Sequence, residues 1–341
     1  MSKRLIVIGV VCLTFVIVPV IGVFAAEKPI MIRYGSNFHA KHVYTNGDLE
    51  YQAKIIKETN GRVKFRNYWG NTLTSAREAY EDIAKGVVDL AYFSQSYSKN
   101  AGPIVKRTTG WYYGVTDFET NLKIFKEVHP KYPEWVAEYN RIKPLGYSVG
   151  LHYQLMSKVP IRSIADMKGL QFKGTSTYVK VLTNLGAVAQ SVPMSEVYIA
   201  LQKGIIDGCM APYETLKTFR FGEVVKSVTQ SPIITGAYIS RGMNLDFWNK
   251  LPPDVQKVFE DNMTEWALIS MKHGRGADQG GIDFAKGKGV EFFKFSKSDF
   301  DKFGEVIAQT CVDMAKNLDK RGLPGTAIYK DIRAAAKKYG F

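Results

Sequence analysis

The chain has 341 residues, three cysteines and a formal net charge of +14. That length suits two ordinary domains rather than one extended core, and three cysteines exclude a disulfide framework. The 46 lysines and arginines are spread along the chain, which argues against nucleic-acid recognition and suits the attraction of small anions.

Lys3 and Arg4 precede an uncharged run from Leu5 to Val23, and Val23-Phe24-Ala25 places small residues three before and one before a cut. Residues 1–25 read as a secretory signal peptide. The rival reading is an uncleaved anchor, since about 19 apolar residues just span a bilayer. Pro19, Gly22 and the cleavage-like site favour the signal, and Cys12 lacks the small residue before it that a lipoprotein cut requires. Cleavage takes two positive charges from +14 and leaves +12. The mature chain keeps Cys209 and Cys311, which can pair once or stay free. It has no CxxC and no Cys/His spacing for zinc.

Met31 to Gly35 predicts a first strand, and Leu49, Ala53 and Ile56 recur at helical spacing before Gly61. Val63 and Phe65 alternate with Lys64 and Arg66, as in a strand. Ser75 with Glu78 forms a capping box for a helix to Lys85, stopped at Gly86 and followed by a strand from Val87 to Phe93. Strand alternating with helix predicts an α/β fold with mostly parallel sheets. The pattern then returns. Leu170 to Phe172 is a strand, Thr175 or Ser176 caps a helix to Leu185, and Ala187 to Val192 is a strand. Ser195 caps a helix to Gly204, and Ile205 to Cys209 is a strand. Lys85-Gly86-Val87-Val88-Asp89 is echoed by Lys203-Gly204-Ile205-Ile206-Asp207, so one chain holds two similar lobes.

Tyr147 to Met156 reads as a strand crossing between the lobes, and Ile233 to Ser240 as a strand returning. The expected division gives residues 26–145 with about 235–273 to one lobe, and 146–234 with about 274–341 to the other. Leu251-Pro252-Pro253-Asp254 starts a long helix carried by Val255, Phe259, Met263, Trp266 and Ser270. Gly274, Gly276, Gly280 and Gly281 beyond it can end it, kink it or let it pack closely against a lobe. Phe292-Phe293 suggests a short strand, and Phe300, Phe303 and Ile307 a further amphipathic helix.

These motifs resemble those of the DctP-like family, the extracytoplasmic solute-binding proteins of tripartite ATP-independent periplasmic (TRAP) transporters. The resemblance rests on Arg77-Glu78 leading to Gly86-x-x-Asp89, on Asp166-Met167-Lys168-Gly169-Leu170-Gln171-Phe172-Lys173, and on Pro193-x-x-Glu196-Val197-Tyr198-x-Ala200-Leu201-Gln202-x-Gly204-x-x-Asp207-Gly208. It implies a two-lobed periplasmic-binding-protein-like fold, with a hinge and a long helix spanning both lobes. It also implies a periplasmic receptor that closes on a small organic anion and hands it to the membrane permease subunits; a monomer is expected, with dimerisation left open by the sequence. Two departures stand out: the family's carboxylate-binding arginine falls at Lys173, and its usual asparagine at Ala211. An ammonium is a point charge without the guanidinium's fork.

Lys173 is therefore the first candidate for ligand contact, against the bland reading of a solvated lysine at a strand end. Thr175 follows at a helix start, where it can hold an anion or simply cap. Ligands of open α/β sheets bind outside the carboxyl ends of strands, which selects Tyr92, Tyr153 and Tyr213, with Trp111 in a nearby loop. Such a lining fits an aromatic or bulky organic acid. His39, after the first strand, can donate to a ligand or cap the next helix. Five scattered histidines make no metal set, no cofactor is expected, and there is no Gly-x-Ser-x-Gly elbow, phosphate loop or HExxH. The chain reads as a receptor and not an enzyme. A ligand-sensing component for a signalling receptor and a secreted enzyme of similar shape remain the alternatives.

Overall fold

In the computed structural model, the described residues are 28–98, 100–149 and 152–341. The expected signal peptide, residues 1–25, lies outside them. Eleven strands, numbered in chain order, form two sheets. The first contains β1 (Ile30–Gly35), β2 (Val63–Tyr68), β3 (Leu90–Tyr92), β4 (Ile142–Ser148) and β10 (Tyr238–Asn244) in the order β2-β1-β3-β10-β4. The second contains β5 (His152–Ser157), β6 (Gln171–Gly174), β7 (Val188–Ser191), β8 (Gly208–Ala211), β9 (Ser227–Ile234) and β11 (Glu291–Lys294) in the order β11-β9-β5-β8-β6-β7. Each sheet has a parallel core with an antiparallel strand where the chain crosses over. β10 runs antiparallel to β3 and β4, and β5 runs antiparallel to β8 and β9.

The two Lys-Gly-x-x-Asp segments do the same work in the two lobes. Gly86 and Gly204 both take positive φ, +74° and +71°, the left-handed conformation that ends a helix without a Cβ clash. Val87 N–H then reaches back to Asp82 O, and Ile205 N–H to Ala200 O. The next apolar residue is exposed in each, and the one after it, Val88 or Ile206, is buried. The aspartate closes the motif by accepting a backbone N–H from a neighbouring strand, Asp89 from Arg33 and Asp207 from Gln171, both at 2.8 Å.

Several expected boundaries shift. β4 stays in the first sheet to Ser148, so the crossover falls three residues past the expected one at 145. The single strand expected over 233–240 is two, β9 and β10, one in each sheet. The 75–78 capping box does not form: the helix spans Ala79–Ala84 and Glu78 makes no side-chain cap. Ser195 lies inside the Met194–Gln202 helix, whose N-cap is Pro193. Residues 106–110 hydrogen-bond to Ser176, Thr177, Gly236 and Cys311, joining this stretch of the first half to second-lobe elements.

The long helix is interrupted at Asn262, giving Pro253–Asp261 and Met263–Gly287. The second piece packs against the Val43–Glu58 helix, β4 and the Thr215–Thr218 helix, and so braces both lobes. Its glycines serve close packing. A Cβ on Gly281 would lie 2.1 Å from the Tyr213 carbonyl oxygen and one on Gly274 3.0 Å from the Tyr44 ring, whereas Gly276 and Gly280 face open space. Cys209 and Cys311 are buried and unpaired.

Candidate functional site

Between the sheets lies a cavity of about 1000 Å3, its mouth included. The first lobe contributes the ends of β1 and β3, the loop after β3, and β4 and β10. The second contributes β5, the loops after β6 and β8, and the start of the Met194–Gln202 helix. Eight aromatic side chains line it, among them Phe38, Tyr92, Tyr147, Tyr153 and Tyr238. Tyr92 and Tyr238 bring their hydroxyls within 3.3 Å of each other, and Phe38 packs on Tyr92 with ring centres 4.8 Å apart. Burial raises the Tyr92 and Tyr153 phenols well above their ordinary range, so both stay neutral donors.

Among the described lining residues, Arg241 is the only lysine or arginine. It sits on β10 at an irregularity in the pairing with β4, the kind of local kink that re-aims a side chain. Its guanidinium is buried between Tyr92 and Trp266, 5.3 and 5.0 Å from their ring centres. One terminal nitrogen donates to Asp48 Oδ1 at 3.0 Å and Ser270 Oγ at 3.1 Å, the other to Tyr147 O and Ser240 Oγ, both at 3.1 Å. Asp48 also accepts from Tyr34 Oη at 2.6 Å and Trp266 Nε1 at 2.8 Å. Burial is the largest single influence on Arg241 and opposes its charge, but Asp48 and the other groups around it together outweigh it and hold the guanidinium charged. Arg241 Nε is buried without a partner. An unmet buried donor is costly, and a ligand acceptor would relieve it.

Lys173 on β6 is fully buried and is not among the lining residues. Its Nζ donates to Met210 O at 3.3 Å and stands 5.9 Å from the centre of the lining Tyr153 ring, one layer behind the wall. Burial lowers its pKa to about 8, which leaves it mostly protonated at neutral pH. Glu214, beyond β8, is a buried carboxyl on the cavity wall. Burial raises it to about 8 even though the Thr218 hydroxyl donates to it. His42 Nε2 lies 3.9 Å from Glu214 Oε2, and burial holds that imidazole neutral, near 3.

The structure places Tyr92, Tyr153 and Thr175 on the cavity wall and Lys173 just behind it. His39 is at the junction of the lobes, its Nε2 2.9 Å from Thr218 O, and it makes no helix cap; His42 caps the Val43–Glu58 helix. Trp111 is a core residue against Tyr329, because its loop folds inward onto the second lobe's helices. Tyr213 turns away toward Phe292, since its backbone is pinned under Gly281. Arg241, Asp48 and Glu214 were not foreseen. The available signal was an arginine inside an otherwise uncharged strand and an aspartate between two helical aromatics.

Two α/β lobes, a bracing helix and a cavity that opens between them define a solute receptor of the two-lobed binding-protein class. Residues 34–317 match the profile of the bacterial extracellular solute-binding proteins, family 7 (DctP), and the chain belongs to that family. The C4-dicarboxylate-binding periplasmic protein DctP of Rhodobacter capsulatus is 26% identical over 312 residues, 86% of this chain and 89% of that one. A TRAP periplasmic solute-binding protein from Desulfovibrio salexigens superposes with a TM-score of 0.73 at 27% identity, covering 91% of this chain and 97% of that one. A TRAP solute-binding protein from Rhodoferax ferrireducens, in complex with copurified benzoate, gives 0.81 at 22% identity, covering 91% and 98%.

Proposed function

We propose that the mature chain is the periplasmic receptor of a TRAP-type secondary transporter and that it carries a small, singly charged organic acid with an aromatic or bulky body to the membrane permease. The observation that carries this reading is the pairing of an aromatic wall with a small surplus of buried positive charge. Arg241 is offset by Asp48, Glu214 is neutral at pH 7, and Lys173 is left as the charge without a counterion. One uncompensated cation in a low-dielectric cavity suits one carboxylate better than two. The relative in complex with benzoate fits this class of ligand, and the uncharged run after Lys3 and Arg4 supports export.

Lys173 attracts the carboxylate from behind the wall, while Tyr92, Tyr153 and Thr175 supply donors at the surface. The cation anchor is thereby looser than a guanidinium fork. Closure of the lobes excludes water and strengthens these contacts, and the permease recognises the closed form. Membership of a family of solute-binding proteins supports a receptor that returns its solute unchanged. The test is mass spectrometry of small molecules released from protein purified in native form. The expected result is an intact monocarboxylic acid. Recovery of a chemically altered product after incubation with an acid would overturn the receptor reading.

A further inference from the structure

Among the described lining residues Glu214 is the one acid, it is buried, and the described surroundings leave half of its carboxyl unused. Its backbone N–H is fixed by Asp278 Oδ1 at 3.0 Å. Both side-chain neighbours approach the same oxygen: Thr218 Oγ1 donates to Oε2, and His42 Nε2 is 3.9 Å from Oε2. His42 Nδ1 accepts from Tyr44 N–H at 3.2 Å, so the neutral ring carries its proton on Nε2, on the side of Glu214. Oε1 takes no hydrogen bond from any described residue. No lysine or arginine pairs with this carboxyl, and its nearest acidic neighbour, Asp278, repels a second negative charge.

A solute carboxylate cannot sit comfortably against such a group. It would go to the side of the cavity where Arg241 opens from the first lobe and Lys173 stands behind Tyr153. Oε1 is left for the solute, and a hydroxyl fits best because it can accept when Glu214 holds its proton and donate when Glu214 is ionised. We propose that Glu214 is a specificity-determining residue whose free carboxyl oxygen exchanges a hydrogen bond with a hydroxyl of the solute, making the preferred cargo a hydroxylated organic acid. This rests on the acid-receptor reading above and narrows it.

Isothermal titration of the mature protein with benzoate, 3- and 4-hydroxybenzoate and their methoxy counterparts tests it. One hydroxy acid should bind about 10- to 100-fold more tightly than benzoate, the range of a hydrogen bond to a buried charged or polar partner. Its methoxy counterpart, which can only accept and adds a methyl at the buried contact, should gain less than the hydroxy acid. In Glu214→Leu the ratio of hydroxy-acid to benzoate affinity should fall toward one, while the isosteric Glu214→Gln, with an amide that can donate and accept, should keep part of the preference. Equal binding of benzoate and both hydroxy acids, or an undiminished preference in either Glu214→Leu or Glu214→Gln, would overturn the role of Glu214 and leave the receptor standing. Binding of none of the acids would instead count against the acid-receptor reading itself.

Discussion

Asp48 and Arg241 depend on each other more than on their local sequence. Removing one partner strands a buried charge, so Asp48→Asn should cost about 3–5 kcal/mol in urea denaturation. The double substitution Asp48→Leu with Arg241→Met should recover much of that loss. The pair was hidden in the sequence for a physical reason. Leu49, Ala53 and Ile56 suggested the buried face of the Val43–Glu58 helix, yet Leu49 and Ala53 are exposed; Thr45, Asp48, Tyr51, Gln52 and Ile55 are buried. A buried aspartate reads as a surface residue until its partner, 193 positions away, is known.

The titrating groups at this site act in separate pH windows. Glu214 ionises near 4.5 in the unfolded chain and near 8 when folded. The folded protein therefore holds the extra proton between those values, and stability falls as pH rises through that window. Lys173 does the reverse: its folded pKa of about 8 lies below 10.5, so stability rises between the two. His42 and His129, held neutral by burial, oppose Glu214 below about pH 6.5, so its contribution is read between about pH 7 and 8. Urea midpoints of the natural protein should fall over that range and those of Glu214→Gln should not, while Lys173→Met should flatten the alkaline side alone. An unchanged slope over that range in Glu214→Gln would place that carboxyl in water.

At the scale of elements, Gly280 and Gly281 are adjacent in one helix and should respond oppositely to alanine. Gly281→Ala drives a methyl into the Tyr213 carbonyl and should destabilise by about 1–3 kcal/mol, a typical cost of overpacking. Gly280→Ala meets nothing and should stabilise by about 0.5–1 kcal/mol through helix propensity. Thermal and urea melts of the two variants decide it. Glycine composition alone left ending, kinking and close packing open, because only the neighbour across the contact distinguishes them. The repeated Lys-Gly-x-x-Asp units, by contrast, were legible, since helix stop and strand start are both local. The 233–240 strand was not, because its division between two sheets is a property of the lobes and not of the segment.

For the whole molecule, contacts across the cleft set the balance between open and closed. Arg77 donates through both terminal nitrogens to Glu196, and His39 meets Thr218 O, each joining a first-lobe residue to a second-lobe one. The Arg77–Glu196 pair is partly exposed on both sides, so Arg77→Ala should weaken solute binding by no more than about fivefold, the worth of a surface ion pair. A loss of several hundredfold on titration would mean that this pair, and not the solute, holds the lobes together. The central claim is that Lys173, behind an aromatic wall, supplies the charge by which the cavity would select a negatively charged solute. The most direct measurement is a thermal-shift comparison of aromatic and bulky carboxylic acids with their uncharged amides. The account predicts that at least one acid raises the melting temperature in a concentration-dependent way, that its amide does not, and that Lys173→Met abolishes the shift. An amide that stabilises as strongly as its acid would contradict it.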